Sequence, residues 1–397
     1  MLMGKQIRLL PTPEQEILFR KSAGVARWAY NFFLDEVKRV YKEYMNNGQT
    51  GKKSISGGEV RKYINNELKP TTHKWLSEVS CNVMKQGVKD AEEAWDKYFK
   101  GLADKPVKKK KHKSDMKFYV NYESLRRMNG GFHGERLGFV RTAEPLPKLP
   151  KGTKYSNPRI HFDGKYWYLS VAYEVPEIEC EHTDESLGID LGVKDLAICS
   201  NKKVYKNINK TKRVKNIEKK KKRAQRKLSR KVEANISGYY TNEEGHRCPI
   251  YKRDFKECKN FQKQKRKVRL IERQLANIRL NYTHQTTTEI VKTKPSRVVM
   301  EDLNVKGMMK NKHLSKAIQE QTLGEFIRQM KYKCQRYGIE FVQVSRWFPS
   351  SKMCSCCGHI KRDLKLKDRV YHCEECGLVI DRDFNASLNL AHYTEST

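Results

Sequence analysis

The chain has 397 residues, 38% of them hydrophobic, which is enough for about two or three domains with cores of their own. Its 82 lysine and arginine residues exceed the 46 acidic residues by 36. This excess indicates a polyanionic partner. Nucleic acid is favoured over a membrane surface, because the excess charge is not concentrated on a single amphipathic helix. An ordinary enzyme with a solvated basic surface is the other interpretation. No apolar run is long enough for a membrane span or a signal peptide, so we expect a cytoplasmic protein.

The N-terminal quarter opens on a strand-like segment at Lys5–Leu10 and continues with helical patterns over residues 12–103. Thr12 is a favourable N-cap, Pro13 suits the first helical position, and Gln15 completes a capping box. These signals predict a long helix that begins directly after the first strand.

A β-rich region is predicted over residues 116–178, after a basic run at 105–113 that is typical of an exposed loop or arm. Its strongest hairpin signal has Asp163 and Gly164 as a two-residue turn between apolar and aromatic runs. We expect the N-terminal strand to join this β region, with the helical segment inserted after it.

The C-terminal half alternates strands with basic helices. The segment "SLGIDLGVKDLAICS" predicts a second hairpin, "SRVVMEDLNV" a buried strand that ends in acidic residues, and residues 322–345 a helix, a stop at Gly338 and a strand. Two strongly basic helices are predicted at 214–232 and 259–280, and the segment between them, 234–258, is predicted to be a loop.

Four cysteines form two CxxC pairs separated by 15 residues: Cys354, Cys357, Cys373 and Cys376. Pairs with this spacing predict a structural zinc ribbon, in which four thiolates hold one ion tetrahedrally and leave no position open for catalysis. Four reduced cysteines in a loop are the alternative, but a segment so poor in apolar residues has little else to fold around. The neighbouring Cys356 could compete as a ligand. Basic residues in the ribbon suggest contact with a phosphate backbone: Lys361, Arg362, Lys365, Lys367 and Arg369.

The remaining cysteines are expected to be free thiols, since no secretory signal accompanies them: Cys81, Cys180, Cys199, Cys248, Cys258, Cys334 and Cys356.

Three acidic residues lie at the edges of predicted elements: Asp190, Glu301 and Asp383. If they converge, their oxygens suit Mg²⁺, and two such ions about 4 Å apart can hydrolyse a phosphodiester. Each has a structural alternative: Asp190 as a turn residue, Glu301 as the end of a strand, and Asp383 as a helix N-cap. Asp302 and Asp381 are rival candidates, and the spacing along the chain does not decide between them.

Four segments, in the order "GIDLGVKDLA", "VVMEDLNVKGMMKNKHLSKAI", "SSKMCSCCG" and "CGLVIDRDFNASLNLA", closely resemble the TnpB family of transposon-encoded proteins, which is related to the type V CRISPR effectors. The N-terminal "PTPEQEILFRKSAGVARWAYNFFL" is also similar to that family. The resemblance covers nearly the whole chain.

The resemblance implies an α+β multidomain fold. Residues 1–11 and 116–182 would form a β-barrel wedge domain, and residues 12–115 a helical recognition domain. Residues 183–397 would form a RuvC-like, ribonuclease H-type nuclease domain that includes basic bridge helices at 208–280 and the zinc ribbon at 350–378. Within the β domain, three aromatic residues could stack on RNA bases or equally belong to the core: Tyr166, Trp167 and Tyr168.

The resemblance also implies an activity. Such a protein would be an RNA-guided, Mg²⁺-dependent DNA endonuclease that uses a guide RNA from the transposon end and cuts double-stranded DNA beside a short motif. It would work as a monomer in a prokaryotic cytoplasm, associated with the nucleoid. The family's catalytic acids fall on Asp190, Glu301 and Asp383, which sets Asp381 aside, and its zinc ligands fall on the four CxxC cysteines.

Two alternatives remain open: a nuclease-inactive, RNA-guided DNA-binding repressor, and a transposase or transposase accessory protein. The segment 234–258 departs from the family pattern, and its His246, Cys248 and Cys258 could bind a second metal ion.

Overall fold

The computed structural model describes residues 1–111, 115–243, 245–365 and 368–394. The last two residues of the basic run at 105–113 and Lys367 of the predicted ribbon lie outside the described residues. The chain divides into two units, Met1–Val175 and Pro176–Thr397. Across the described ranges, no helix has both the length and the apolar character needed to cross a bilayer.

Seven strands form the sheet of the first unit: β1 (Leu2–Leu10), β2 (Met116–Tyr119), β3 (Arg126–Met128), β4 (Gly131–Gly134), β5 (Gly138–Thr142), β6 (Ser156–Phe162) and β7 (Trp167–Glu174). They are antiparallel and lie in the order β2, β6, β7, β1, β5, β4, β3. β1 connects the two halves, because it pairs with β7 from Leu2 to Arg8 and with β5 at Leu9 and Leu10. Within the described residues the ladders end at β2 and β3, so no hydrogen-bonded pair closes the predicted barrel.

The helical segment lies in the chain between β1 and β2. It contains α1 (Pro13–Asn46), α2 (Gly57–Tyr63), a π-helical turn (Ile64–Leu68), a 3₁₀ turn (Lys74–Glu78) and α3 (Cys81–Phe99). The predicted capping box is confirmed: the hydroxyl of Thr12 accepts from the Gln15 amide, and the Gln15 side chain accepts from the Thr12 amide at 3.1 Å. The chain is thereby fixed where it turns from β1 into α1.

The β6–β7 hairpin is confirmed, but its turn differs from the prediction. Phe162 pairs with Trp167, so the loop has four residues, 163–166, and the Asp163 carboxylate accepts from the amides of Lys165 and Tyr166. A carboxylate that satisfies two loop amides stabilises the longer turn. Trp167 is only 1% exposed and its ring lies 5.2 Å from that of Phe19 in the core, so the core interpretation is correct for this residue.

The second unit is built on a five-stranded mixed sheet: β8 (Thr183–Leu191), β9 (Asp195–Cys199), β10 (Val204–Lys206), β13 (Pro295–Glu301) and β14 (Glu340–Val344). The spatial order is β10, β9, β8, β13, β14. The first three strands are antiparallel neighbours, and β8, β13 and β14 run parallel. In chain order, three antiparallel strands are followed by two parallel strands, and the first strand, β8, lies at the centre. This is the ribonuclease H-type sheet that the resemblance implies.

The helices of the second unit, some of which cover the two faces of this sheet, are α4 (Lys212–Glu233), α5 (Lys259–Lys292), α6 (Val305–Met308), α7 (Ser315–Gln321), α8 (Leu323–Arg336) and α9 (Arg382–Ala391). A short 3₁₀ turn, Ile208–Lys210, precedes α4. Leu187 and Ile189 of β8 pack in one cluster with residues of α5 and α8. Successive side chains of a strand alternate between faces, so Gly188 and Asp190 lie on the opposite face, which α9 covers.

Gly188 sets the distance between β8 and α9. A Cβ atom at this position would lie 2.0 Å from the Ser387 carbonyl oxygen and 2.4 Å from the Ala391 amide nitrogen. Both contacts are to backbone atoms, so the helix itself would have to move. The glycine therefore allows α9 to pack directly against the strand that carries Asp190.

We expect Gly188→Ala to reduce the free energy of unfolding by about 1–3 kcal/mol, because the overpacked interface must separate. Thermal and denaturant unfolding measure the change. Gly324→Ala, on α8, is the matched control: its nearest neighbour would be Val305 Cγ1 at 3.9 Å, and alanine favours the helix. Equal stability of Gly188→Ala and the wild type would contradict the close packing.

α4 and α5 pack against each other through apolar residues, among them Val214, Ile217 and Leu275. The Arg279 guanidinium joins them to α7, since it contacts Glu218 of α4 at 3.0 Å and Glu320 of α7 at 3.3 Å. The outward side of α4 presents a dense set of exposed cations, which includes Lys219, Lys220, Lys222, Arg223, Arg226, Lys227 and Arg230.

The segment between these helices was predicted to be a loop, and this is wrong. It forms a hairpin of β11 (Ile236–Thr241) and β12 (Arg247–Tyr251). Tyr239, Tyr240 and Tyr251 of this hairpin are exposed. With both faces of the hairpin reaching solvent, the segment lacks the alternation of apolar and polar residues by which a half-buried strand is recognised.

Candidate active site and metal centre

Asp190 and Glu301 lie side by side at the ends of two parallel strands. In the register of β8 and β13, Gly188 pairs with Val299 and Ile189 with Met300, and one step further along both strands come Asp190 and Glu301. Val299 packs with Leu390 of α9, so Glu301 also lies on the α9 face. The sheet therefore brings two carboxylates, 111 positions apart in the sequence, to one edge and one face.

Asp383 comes to the same face from the first turn of α9. The N-cap of this helix is Asp381, whose carboxylate accepts from the amides of Asp383 and Phe384, each at 3.0 Å. The N-cap role that was considered for Asp383 thus belongs to Asp381, and the Asp383 carboxylate is free for other contacts. Short antiparallel strands β15 (Val370–His372) and β16 (Val379–Asp381) lead the chain into α9.

The pKa of Asp190 is raised by its surroundings. Burial raises the pKa of its carboxyl well above the usual range, and the negative charges of Glu301 and Asp383 raise it further. A carboxylate that loses hydration and faces two others is poorly stabilised unless a cation is close. A carboxyl group whose pKa is strongly shifted by burial and by neighbouring charges is characteristic of a functional site.

The surrounding side chains hold two of the three acids in place. The Ser350 hydroxyl donates to Glu301 Oε1. The Arg382 guanidinium lies 3.1 Å from Asp383 Oδ1, and Arg369 lies 3.7 Å from Asp383 Oδ2. The rival Asp302 is paired with Arg346 at 2.5 Å on the surface.

The carboxylates are more widely spaced than the ligands of a single ion. In the part of the chain that the structure describes, the four cysteines are the one set of three or more His, Cys, Asp or Glu donors whose ligand atoms all lie within 4.8 Å. Asp190, Glu301 and Asp383 share a face and an electrostatic environment without meeting that distance.

The four predicted cysteines do converge. Sγ of Cys354 lies 3.6 Å from Sγ of Cys376, and Sγ of Cys357 lies 3.5 Å from Sγ of Cys373. Sulfurs bound tetrahedrally at about 2.3 Å from zinc are separated by about 3.8 Å, so this quartet fits the ion. Gly358 and Gly377 follow the two CxxC turns with φ of +75° and +70°, a conformation that favours glycine. Cys356 is exposed and outside the quartet.

Two asparagines of α9, which sequence reasoning missed, tie the ribbon to the carboxylate site. The side-chain amide of Asn385 donates to the Met353 carbonyl at 2.6 Å, and its oxygen accepts from the Ser355 amide at 3.0 Å. Asn389 donates to the carbonyls of Ser350 and Met353. Both asparagines are buried. Their spacing of four within a helix, otherwise flanked by apolar residues, was the available signal.

The second metal site that was considered for residues 234–258 does not assemble in this structure. Among the residues described, His246, Cys248 and Cys258 belong to no cluster of potential ligands. Cys248 lies within β12, opposite Tyr240, whereas Cys258 directly precedes α5. The hairpin keeps them in separate elements.

Three family models match parts of the chain. Residues 170–312 match a family described as "Probable transposase", residues 324–390 match "Cas12f1-like, TNB domain", and residues 1–46 match a "Helix-turn-helix domain". In this structure residues 1–46 form strand β1 and the single long helix α1.

Curated relatives match over almost the full length. A protein of Streptomyces pristinaespiralis, named as a candidate RNA-guided DNA endonuclease, is 28% identical over 96% of this chain and 87% of the relative. InsQ of Escherichia coli K12, named in the same way, is 28% identical over 98% of this chain and 91% of the relative. A TnpB-like protein of Acanthamoeba polyphaga mimivirus is 23% identical over 98% of this chain and 72% of the relative.

Solved structures give weaker likenesses. The Cas12f1–sgRNA–target DNA complex matches with a TM-score of 0.36 and 15% identity, over 99% of both chains. The mini-RNA-guided endonuclease Cas-phi3 matches with a TM-score of 0.42 and 10% identity, over 98% of this chain and 92% of the other.

Proposed function

We propose that this chain, which resembles the TnpB family of transposon-encoded proteins, is an RNA-guided DNA endonuclease that cuts by metal-dependent phosphodiester hydrolysis. One observation carries the proposal: two neighbouring parallel strands and the first turn of α9 bring Asp190, Glu301 and Asp383 to one face, where the pKa of Asp190 is raised by burial and by the other two acids. A structural helix cap or a strand terminus does not require three acids on one face.

The three carboxylates would hold Mg²⁺, a hard cation that prefers oxygen ligands. Their charge fits the ion, and carboxylates on one face can hold two such ions about 4 Å apart. Bound there, Mg²⁺ would supply activation of water and stabilisation of the leaving oxygen. The chain itself orients the acids: Ser350 fixes the Glu301 carboxylate, and Arg369 and Arg382 fix that of Asp383. Both guanidiniums can also contact the phosphates that flank the scissile bond.

The cysteine quartet would hold a structural Zn²⁺. Its four ligands leave no open position, so it would take no part in the chemistry. Its role would be to fold residues 350–378, whose first turn is hydrogen-bonded to Asn385 and Asn389 of the helix that carries Asp383. The exposed basic residues Arg362 and Lys365 would face a phosphate backbone.

RNA and DNA would be the polyanionic partners. The cations on the outer side of α4 can follow the phosphates of a guide–target heteroduplex, which a protein holds by its backbone while base pairing reads the sequence. We further propose that 1–11 with 116–182 act as a wedge domain, 12–115 as a recognition domain and 183–397 as the nuclease domain, in a ribonucleoprotein with one copy of the protein.

The test begins with the RNA that copurifies with the protein expressed from its native locus. We expect one discrete RNA that ends at the transposon boundary. The purified complex should then cut a plasmid that carries the matching target beside the correct motif, in Mg²⁺ and not in EDTA, and leave 5′-phosphate and 3′-hydroxyl ends.

The control is a target with mismatches next to the motif, which should stay intact because early pairing nucleates the heteroduplex. Binding without cleavage by the intact wild type would favour the repressor. Joined products on addition of transposon ends would favour the transposase.

A further inference from the structure

Trp347 is the most exposed tryptophan of the chain. Trp347 is 85% exposed, whereas Trp75, the second most exposed of the five tryptophans, is 39% exposed. Single exposed apolar residues are common on proteins, so exposure alone assigns nothing. Its position in the fold makes it informative, because it lies in the loop that connects β14 to the ribbon, beside the carboxylate site.

This loop is held in place on both sides of the indole. Phe348 packs with Val299, Val342, Val344 and Leu390, and its ring lies 5.2 Å from that of Tyr393. The amide of Phe348 donates to the Ser345 carbonyl at 2.9 Å, and the amide of Ser350 donates to the Phe348 carbonyl at 2.8 Å. A backbone fixed in this way presents Trp347 outward in a defined position.

The residues that flank Trp347 contact the acidic edge of the sheet directly. Arg346 pairs with Asp302, next to Glu301, and Ser350 donates to Glu301 itself. Three residues of extended chain span about 11 Å at most, so the Cα of Trp347 lies within that distance of the Cα of Ser350. A DNA strand that has one phosphate bound at the carboxylates would therefore bring its next nucleotides to Trp347.

The carboxylate site next to this loop carries cations that suit a nucleic acid strand. Arg369 and Arg382 lie at the neighbouring Asp383, and Arg346 precedes Trp347 in the chain. Guanidiniums bind phosphates, and an exposed aromatic ring stacks on an unpaired base of any sequence. A surface for a protein partner would instead need a contiguous apolar patch.

We propose that Trp347 is a stacking subsite for an unpaired base of the DNA strand being cut, close to the scissile phosphate. The subsite rests on the proposed nuclease function and extends it. Base pairing to the guide cannot position a displaced, unpaired strand, and a sequence-tolerant stacking contact can. Trp347 would hold the strand so that its phosphate reaches the three acids, which makes it a positioning residue.

The first test measures stacking without cleavage. The full-length chain with Asp190→Asn is titrated with a single-stranded DNA oligonucleotide that contains 2-aminopurine. The salt concentration is high enough to weaken binding that depends only on contacts to phosphates. We expect 2-aminopurine fluorescence to be quenched on binding. Trp347→Ala should weaken the quenched complex about 10- to 100-fold, and Trp347→Phe should stay within about 3-fold of tryptophan.

Two controls separate the subsite from other effects. Tyr240→Ala removes an exposed aromatic side chain of β11 in the same unit and should leave the quenching unchanged. The unfolding temperature of Trp347→Ala should match that of the parent, because so exposed a side chain contributes little to packing. Equal quenching by Trp347→Ala, or equal losses for the alanine and phenylalanine variants, would overturn the proposal. So would a preference of the Trp347-dependent site for RNA of the same sequence.

The second test uses the guided complex in single-turnover cleavage. With Asp190 intact, Trp347→Ala should lower the maximal cleavage rate about 10-fold or more and leave the affinity for double-stranded target unchanged, since pairing with the guide supplies that affinity. An unchanged maximal rate would overturn the positioning role. The two proposals can fail separately. If Trp347→Ala alone loses the quenching and the wild-type complex does not cleave DNA, the stacking subsite is retained and the nuclease function is refuted.

Discussion

Asp190→Asn is expected to abolish cleavage by the guided complex and, at the same time, to raise the unfolding temperature of the protein free of divalent cations. Removing a proposed Mg²⁺ ligand should reduce the single-turnover rate by at least about 1,000-fold, a change of about 4 kcal/mol in the barrier. Guided binding of target DNA should persist, because it depends on base pairing and on contacts to the backbone. Loss of binding by the folded variant would contradict the assigned role.

The stability change follows from the raised pKa of Asp190. A carboxyl group whose pKa in the folded state lies above its unfolded value binds protons more tightly when the protein is folded. It therefore destabilises the fold at neutral pH, and this cost declines as the pH falls below the raised pKa and vanishes below the ordinary pKa of an aspartate. Asparagine carries no charge and removes the cost at every pH. For a unit of this size, each 1 kcal/mol gained raises the unfolding temperature by about 2–4 °C.

The measurement is thermal unfolding at several pH values, without and with Mg²⁺. Asp184→Asn is the matched control, because it lies on the same strand, β8, and is exposed. It should alter neither cleavage nor unfolding temperature. The difference between Asp190→Asn and wild type should narrow toward acidic pH and also when Mg²⁺ is present, since the ions stabilise the wild-type site. A lower unfolding temperature for Asp190→Asn at neutral pH would contradict the electrostatic interpretation.

The features that sequence predicted best are those that local physics determines. The capping box at Thr12 needs only residues three apart, and the β8–β9 hairpin needs only two short apolar runs with Gly192 between them. The cysteine quartet is similar, because two CxxC turns already fix two pairs of sulfurs and a single ion fixes the rest.

Long-range features were beyond the sequence patterns. Glu301 reaches Asp190 through the parallel register of β8 and β13, and nothing in either segment specifies that they are neighbours. The N-cap of α9 could be Asp381 or Asp383 by pattern, and only the backbone shows that Asp381 accepts the two helix amides. The hairpin β11–β12 was missed because its strands bury too little to show an apolar period. Family resemblance supplied the proposed catalytic trio where spacing could not.

Loss of the ribbon metal is expected to disable cleavage even though zinc takes no part in the reaction. Binding of structural zinc contributes about 10–16 kcal/mol in small domains, and this energy folds the ribbon. Without it, Ser350 and Met353 lose the geometry in which Asn385 and Asn389 hold them. Ser350 then no longer orients Glu301, and the helix that carries Asp383 loses two buried anchors.

We therefore expect Cys373→Ser to lose bound zinc and to cut target DNA at least about 100-fold more slowly, while it still copurifies with RNA through the basic helices. Metal analysis after dialysis measures the zinc, and single-turnover cleavage measures the rate. Cys356→Ser is the matched control, since this exposed cysteine lies between two members of the quartet in sequence and outside it in space. It should retain one zinc per chain and full activity. Loss of zinc in Cys356→Ser would assign the ligand differently, and cleavage at the wild-type rate by zinc-free Cys373→Ser would show that α9 holds the site without the ribbon.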